Sequence, residues 1–401
     1  MRILQLCTKV PYPPKDGGAA GIFVFTKAFS ALGHIVDVLA VNPPKHFINK
    51  SEFTHLPKAI KIYPVEFDTS PHCYKALRNL LLTTMPYQVE RFIHCNFTDH
   101  LIEILAISKP DIVQLEGIYL CPYIPLIRKH SHARIILRAH NIEHNLWYNI
   151  ANNESNFLKR TYLKIQSSRL KKYEIEQLTK VNGVTTVTEY DFSILKTYQP
   201  KIDAKVIPFG VELENQSLTK DINLEALFFI GALDWMPNQE AIQWFIGSVW
   251  PRIYQQFKSL RFHIAGRNSP SWLSSYLQNQ QGVVFYGEIS DAQLFFNKFS
   301  IMVVPLFSGG GIRVKIIEAM QQGKVVIASS KAAEGIPVVS GQHLLLADTI
   351  DEFVNQISLL LSNVNLIKQI SYNAKELIRE KFNILAITSD LIDFFNNVEN
   401  G

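Results

Sequence analysis

Ser308–Glu318, SGGGIRVKIIE, joins an apolar, strand-like run, IMVVPLF, to a helical pattern. Three consecutive glycines free backbone amides at a helix start, an arrangement suited to a diphosphate. Arg313 and Lys315 add two cations in the first helical turn, where the helix dipole ordinarily favours acids. A local rule broken in this way marks a candidate functional site. Glu318, further along the same helix, could accept a ligand hydroxyl through a charge-assisted hydrogen bond. A glycine turn with solvated charges is the simpler alternative. D-x-D occurs nowhere in the chain, so a metal-bridged diphosphate has no support and protein cations would neutralise the phosphates.

Leu137–His144, LRAHNIEH, ends another strand-like run and clusters His140, Glu143 and His144. H-x-x-E-H resembles an inverted zinc-protease motif, but that motif belongs on a helix with a further acidic ligand. Here His140 stands at a strand exit, so no metal site is expected. The better reading is a ligand-facing histidine positioned by Glu143 and His144, with a structural histidine as the alternative. KVPYPPKDGGAAG, residues 9–21, follows the first strand-like run and precedes a helical one. Gly17 and Gly18 there would let the backbone approach a ligand, although a plain turn fits equally. Trp235 in ALDWMPN stands at another strand exit, where stacking on a ligand and packing are both open. Residues 157–172 carry six Lys/Arg and no acid. The apolar residues among them make this a basic amphipathic helix, able to meet an anionic membrane or simply to face solvent. No nucleic-acid module accompanies it.

Elements must position these residues, and the composition provides for them. Of 401 residues, 47% are hydrophobic and 19% charged, which excludes a disordered chain. The four cysteines are widely spaced, so neither a disulfide framework nor a zinc site is expected and a reducing, cytoplasmic setting follows. Residues 1–205 hold 26 Lys/Arg against 17 Asp/Glu, while 206–401 hold 14 against 18. The halves thus face different surroundings, the first an anionic one, unless the split is plain surface chemistry.

Apolar β-branched runs alternate with helix-length segments throughout, the pattern of parallel α/β sheets. Strands are predicted at 2–7, 35–41, 60–65, 112–115, 134–138 and 183–187. After Pro208 the series restarts at 226–230, 260–265, 283–286, 301–305, 325–328 and 344–346, with a helix expected at 238–257. Two Rossmann-like domains facing a cleft are the expected architecture, with ligands beyond the carboxyl ends of the strands. The divisions are 1–205, 206–383, and a C-terminal helix at 384–401 that packs back on the first domain.

In this order, the glycine loop, RAHNIEH, VIPFGVE, GALDWMPNQEA, FHIAGR, VVFYGEI and SGGGIRVKIIEAMQQGKVVIASSKAAEGI resemble the GT-B glycosyltransferases. Among these they resemble the retaining family 4 group of the bacterial surface-glycan type. The resemblance implies transfer of a sugar from a UDP- or GDP-linked donor to a glycan or lipid-linked acceptor, with no metal and no cofactor. It assigns acceptor binding to the first domain and the nucleotide sugar to the second. It implies that Arg313 and Lys315 bind the diphosphate with the amides of Gly309, Gly310 and Gly311, and that Glu318 holds the donor ribose. His140 would lie near the transferred sugar, Gly17 and Gly18 near the phosphates, and Tyr286, Glu288 and Ile289 beside the base, with Arg267 able to reach the phosphates. The family's first motif glutamate is replaced here by Gly310, so donor-sugar identity does not carry over. A nucleotide-sugar epimerase and a catalytically inactive nucleotide-sugar-binding protein remain alternative readings. A dinucleotide-dependent oxidoreductase is disfavoured by the missing G-x-G-x-x-G. Peripheral attachment to the inner face of a membrane through 157–172 is also expected.

Overall fold

The computed structural model describes residues 1–14, 17–213, 222–309 and 312–399. The chain divides into two compact units, Met1–Gly210 with Ile384–Gly401, and Val211–Asn383. In the first, strands β1 (Arg2–Cys7), β2 (Ile35–Val41), β3 (Ile60–Val65), β4 (Ile112–Glu116), β5 (Arg134–Ala139), β6 (Gly183–Thr186) and β7 (Asp203–Val206) form a parallel sheet. Their spatial order is 3-2-1-4-5-6-7. The accompanying helices are α1 (Gly17–Ala31), α2 (Cys73–Leu82), α3 (Tyr87–Glu90), α4 (Cys95–Ser108), α5 (Ile124–His130), α6 (Glu143–Asn152), α7 (Phe157–Gln177) and α8 (Glu189–Tyr198).

The second unit repeats the plan with β8 (Ala226–Ile230), β9 (Arg261–Ala265), β10 (Val283–Gly287), β11 (Ile301–Val304), β12 (Val325–Ala328) and β13 (Leu345–Leu346). Their order is 10-9-8-11-12-13, which is the Rossmann order 3-2-1-4-5-6 counted from β8. Its helices are α9 (Met236–Trp244), α10 (Trp250–Gln256), α11 (Ser271–Gln278), α12 (Ala292–Asn297), α13 (Val314–Gln321), α14 (Ile350–Ser362) and α15 (Val364–Lys381). The fold class is thus two Rossmann-like domains, as the alternating pattern predicts.

Helices cover both faces of such sheets, so their strands read as continuous apolar runs. In β1, Leu4 and Leu6 join one buried cluster with Leu115 and Leu137, while Ile3 and Cys7 join another with Val36 and Ile136. Helix starts are set locally. The Asn156 side chain accepts from the Lys159 amide ahead of α7, and Thr349 and Glu352 form a capping box on α14. The single helix expected at 238–257 is instead α9 and α10 joined by a π-helical turn, Phe245–Val249. Pro251, the second residue of α10, has no N–H to continue the ladder.

Helix α16 (Ile384–Asn397) belongs to the first unit and packs on α1. Its Phe395 is fully buried and stacks on Phe29 at 6.0 Å. At Gly210 a Cβ would stand 2.9 Å from the Ile384 backbone, so a glycine lets the two segments meet. Truncating Phe395→Ala leaves a cavity under α1, and is expected to lower the stability of the first unit by about 3–5 kcal/mol. Denaturant unfolding followed by limited proteolysis checks this, and unchanged stability would contradict the packing role of α16.

Candidate active site

Both candidate regions lie at the carboxyl ends of strands. In the first unit, His140 follows β5 and its Nε2 lies 2.8 Å from Glu116 Oε2, on the last residue of β4. Glu116 is buried, as is Arg138, whose Nη1 donates to Glu116 Oε2 and to the Gly21 carbonyl at 3.4 and 3.3 Å. The Arg138 guanidinium sits 4.0 Å from the Phe25 ring centroid. Gln5 and Gln114 donate to the other carboxylate oxygen, and Thr26 donates to Gln5 at 2.6 Å. Burial opposes ionisation of Glu116, yet Arg138 and the His140 hydrogen bond hold its carboxyl below the ordinary range. An ionised carboxylate only accepts, so the proton between the two groups belongs to His140 Nε2. His140 keeps 30% exposure and presents Nδ1 elsewhere.

Glu143 and His144 do not position His140, contrary to the expectation from their spacing. They start α6 instead, with their amides and the His144 ring turned to α7 and the Glu143 carboxylate turned to Tyr119. His144 Nδ1 lies 2.6 Å from Glu174 Oε2, and Glu174 also accepts the Glu143 and His144 amides. Tyr119 donates to Glu143 at 2.6 Å. Burial, outweighing that bond, pushes the Glu143 carboxyl up to about 7. Gly17 and Gly18 open α1, and a Cβ at Gly17 would meet nothing within 4 Å.

In the second unit, α13 begins just after the glycine run. Gly309 has φ +86°, and a Cβ there would lie 2.8 Å from Trp235, so both backbone and space require glycine. Gly310 and Gly311 lie outside the described residues. Arg313 precedes the first helical residue, is 6% exposed, and packs its guanidinium 5.2 Å from the Trp235 ring centroid while donating to the Ser308 carbonyl at 3.2 Å. Burial lowers its pKa.

Lys315 reaches back to the exit of β8. Its Nζ donates to Asn238 Oδ1 at 2.9 Å and to the Ile230 carbonyl at 3.3 Å, 4.1 Å from the Phe229 ring centroid. The side chain keeps some accessibility but the ammonium is enclosed, and burial followed by the Arg313 charge brings its pKa down to about 7. Both oxygens are neutral. A Cβ at Gly231 would come within 2.9 Å of this ammonium, and one at Gly266 within 2.1 Å of the Gly231 carbonyl. Glycines at two neighbouring strand exits thus clear the lysine's seat. Glu318 lies one turn along α13, where burial pushes its carboxyl up to about 7. Among the described residues no ion pair joins it to Lys315.

The other expected residues are more dispersed. Arg267 follows β9, and its carbonyl accepts the Leu233 amide at 2.9 Å. Tyr286, on the edge strand β10, spends its hydroxyl on His263 Nδ1 at 2.9 Å, and its ring packs edge-on to Phe295. Glu288 and Ile289 follow that strand. Trp235 and Asn238 precede and open α9, where Asn238 Nδ2 also donates to the Ala232 carbonyl at 2.8 Å.

Residues 225–363 match the family described as glycosyl transferases group 1. They form a glycosyltransferase domain, and the chain is a transferase of the GT-B fold. Over 97% of the chain and 98% of the relative it is 22% identical to an uncharacterized 44.6 kDa protein in the cps region of Klebsiella pneumoniae. Sucrose-phosphate synthase from Thermosynechococcus elongatus superposes with a TM-score of 0.72 at 16% identity, covering 99% of this chain and 98% of that one. A Staphylococcus aureus TarM mutant, solved with fondaparinux, alpha-GlcNAc-glycerol and UDP, gives 0.70 at 16% identity, covering 99% and 100%.

Two residues of this glycosyltransferase escape a reading of local motifs. Glu116 and Arg138 lie within apolar strands, and a charge in such a run is the one signal that could have found them. Removing Glu116 strands a buried guanidinium, so Glu116→Ala is expected to cost about 3–5 kcal/mol while Glu116→Gln costs less. Thermal unfolding of the two variants checks this, and equal stabilities would contradict the pairing.

Proposed function

We propose that this glycosyltransferase is a family 4 enzyme. It moves a sugar from a UDP- or GDP-linked donor to a hydroxyl of a glycan or lipid-linked acceptor, retaining the anomeric configuration without a metal. The observation that carries the reading is the pair of confined cations at the start of α13. Lys315 rests on neutral oxygens and has its pKa drawn down to about 7; a diphosphate beside it would restore the charged form. Cations and helix-start amides fixed in advance stabilise the charge that develops on a departing diphosphate. The solved relative that holds UDP supports a nucleotide donor.

In this reading residues 206–383 bind the nucleotide sugar and 1–205 the acceptor, with 384–401 completing the first domain. Glu318 holds the ribose, Arg267 assists at the phosphates, and Tyr286, Glu288 and Ile289 border the base. His140 lies near the transferred sugar, oriented by Glu116 at 2.8 Å, and Gly17 and Gly18 face the phosphates. Retention follows from front-face attack, in which the acceptor oxygen bonds to the anomeric carbon as the diphosphate leaves and takes the acceptor's proton.

Thermal unfolding with UDP, GDP, their sugar conjugates and NAD tests the assignment. A nucleotide at 100 times its dissociation constant adds about 2.7 kcal/mol. One nucleotide class is expected to raise the midpoint of the wild type, and Arg313→Ala and Lys315→Gln are expected to lose the rise. No rise with any nucleotide, or a rise with NAD alone, refutes the reading. With donor and acceptor in hand, EDTA is expected to leave turnover unchanged and NMR of the product to show the donor's anomeric configuration.

A further inference from the structure

Helix α2 is built inside out. Its one buried residue is the polar Asn79, while Tyr74, Leu77, Leu81 and Leu82 are 78, 56, 72 and 76% exposed. Polar bonds fasten the helix to α7. Gln166 Nε2 donates to Asn79 Oδ1 at 3.1 Å, and Arg169 Nη2 donates to the Leu80 carbonyl at 2.8 Å, at the end where helix carbonyls lack partners. Helix α7 itself opens with Phe157 and Leu158 exposed at 66 and 78%. Leu158, Leu82 and Leu81 are the three most exposed leucines among the described residues. On α2, Tyr74, Leu77 and Leu81 recur at helical spacing on one face, and apolar side chains exposed in this way are unfavourable in water and mark a contact with something less polar.

Charge selects the contact. Residues 69–89 and 155–173 hold eight Lys/Arg and no Asp/Glu, in a chain with 35 acids. Two of these cations meet acids from outside the segments, Arg78 with Glu90 and Lys159 with Glu154. Lys75, Lys164, Lys171 and Lys172 are exposed. Leucine tips beside long basic side chains are the composition of a helix lying in a bilayer interface.

We infer that α2 and the first turns of α7 form a docking face for an anionic lipid bilayer, with α2 as the inserting element. The inference deepens the proposed use of a lipid-linked acceptor, to which it would bring the first domain. Each basic residue near an anionic surface contributes on the order of 1 kcal/mol, and the leucines add a contribution that salt does not screen.

Sedimentation of the full chain with phosphatidylcholine vesicles, with and without phosphatidylglycerol, tests it. Wild type is expected to partition at least about tenfold more strongly onto the anionic vesicles, and less so as salt rises. Leu81→Ser combined with Leu82→Ser is expected to lose about tenfold in partition while keeping the wild-type midpoint and nucleotide response, because both sites are exposed. Equal partition on the two vesicle types, or wild-type partition by the double variant, overturns the inference. So does failure to bind either vesicle, which would leave an acidic protein as the occupant. A wild type that partitions yet ignores every nucleotide would refute the glycosyl-transfer reading and leave the docking face standing.

Discussion

A lysine ammonium enclosed against two neutral oxygens is the constraint around which the second domain is arranged. Lys315 binds the Ile230 carbonyl and the Asn238 amide oxygen, and Arg313 two residues earlier repels it. Because its folded pKa falls to about 7 from an ordinary 10.5, the unfolded chain binds the extra proton between those values. Stability from this group therefore rises with pH through that window and is reduced below about 7. In the proposed reading a ligand of opposite charge relieves it. Glycines at 231 and 266 follow from the same constraint, since a Cβ there would strike the lysine's seat or the backbone beside it, whereas one at 309 would strike Trp235.

The sheets explain why that seat and the histidine network stand where they do. Each sheet reverses its strand order at its first strand, between β1 and β4 in one unit and between β8 and β11 in the other. At such a point the crossovers diverge and leave room beyond the strand ends. Glu116 ends β4 beside the exit of β1, and the Arg313 segment follows β11 beside the exit of β8. The same topology therefore sets two confined cations at a strand exit in one domain and an oriented histidine at a strand exit in the other.

Much of the fold is legible in the residues because parallel strands are buried on both faces. Runs such as ILQLC and IMVV identify themselves, and β1 occupies Arg2–Cys7 as the pattern predicts. Strand β7, DAKV, is short and only partly buried, so no apolar run betrays it. The chemistry divides the same way. Arg313 and Lys315 stand out because cations at a helix start oppose the dipole. Their neighbours do not, because Asn238 meets Lys315 across 77 residues and Glu116 meets His140 across 24. His140, Glu143 and His144 suggest one cluster by spacing, yet the turn into α6 sends the Glu143 carboxylate to Tyr119 and the His144 ring to Glu174 on α7. Periodicity reports what is buried, not which distant polar group a buried one meets.

The central claim concerns the charge on one nitrogen, and its titration tests that claim directly. NMR of the Lys315 side chain, assigned through Lys315→Gln, is to be followed from pH 6 to 10 with and without the nucleotide that raises the unfolding midpoint. The free protein is expected to show Lys315 titrating near 7, and the complex to keep it charged at least about two units higher. An ordinary lysine titration in the free protein, or a midpoint unmoved by the nucleotide, would contradict the claim that this lysine is held ready for a diphosphate.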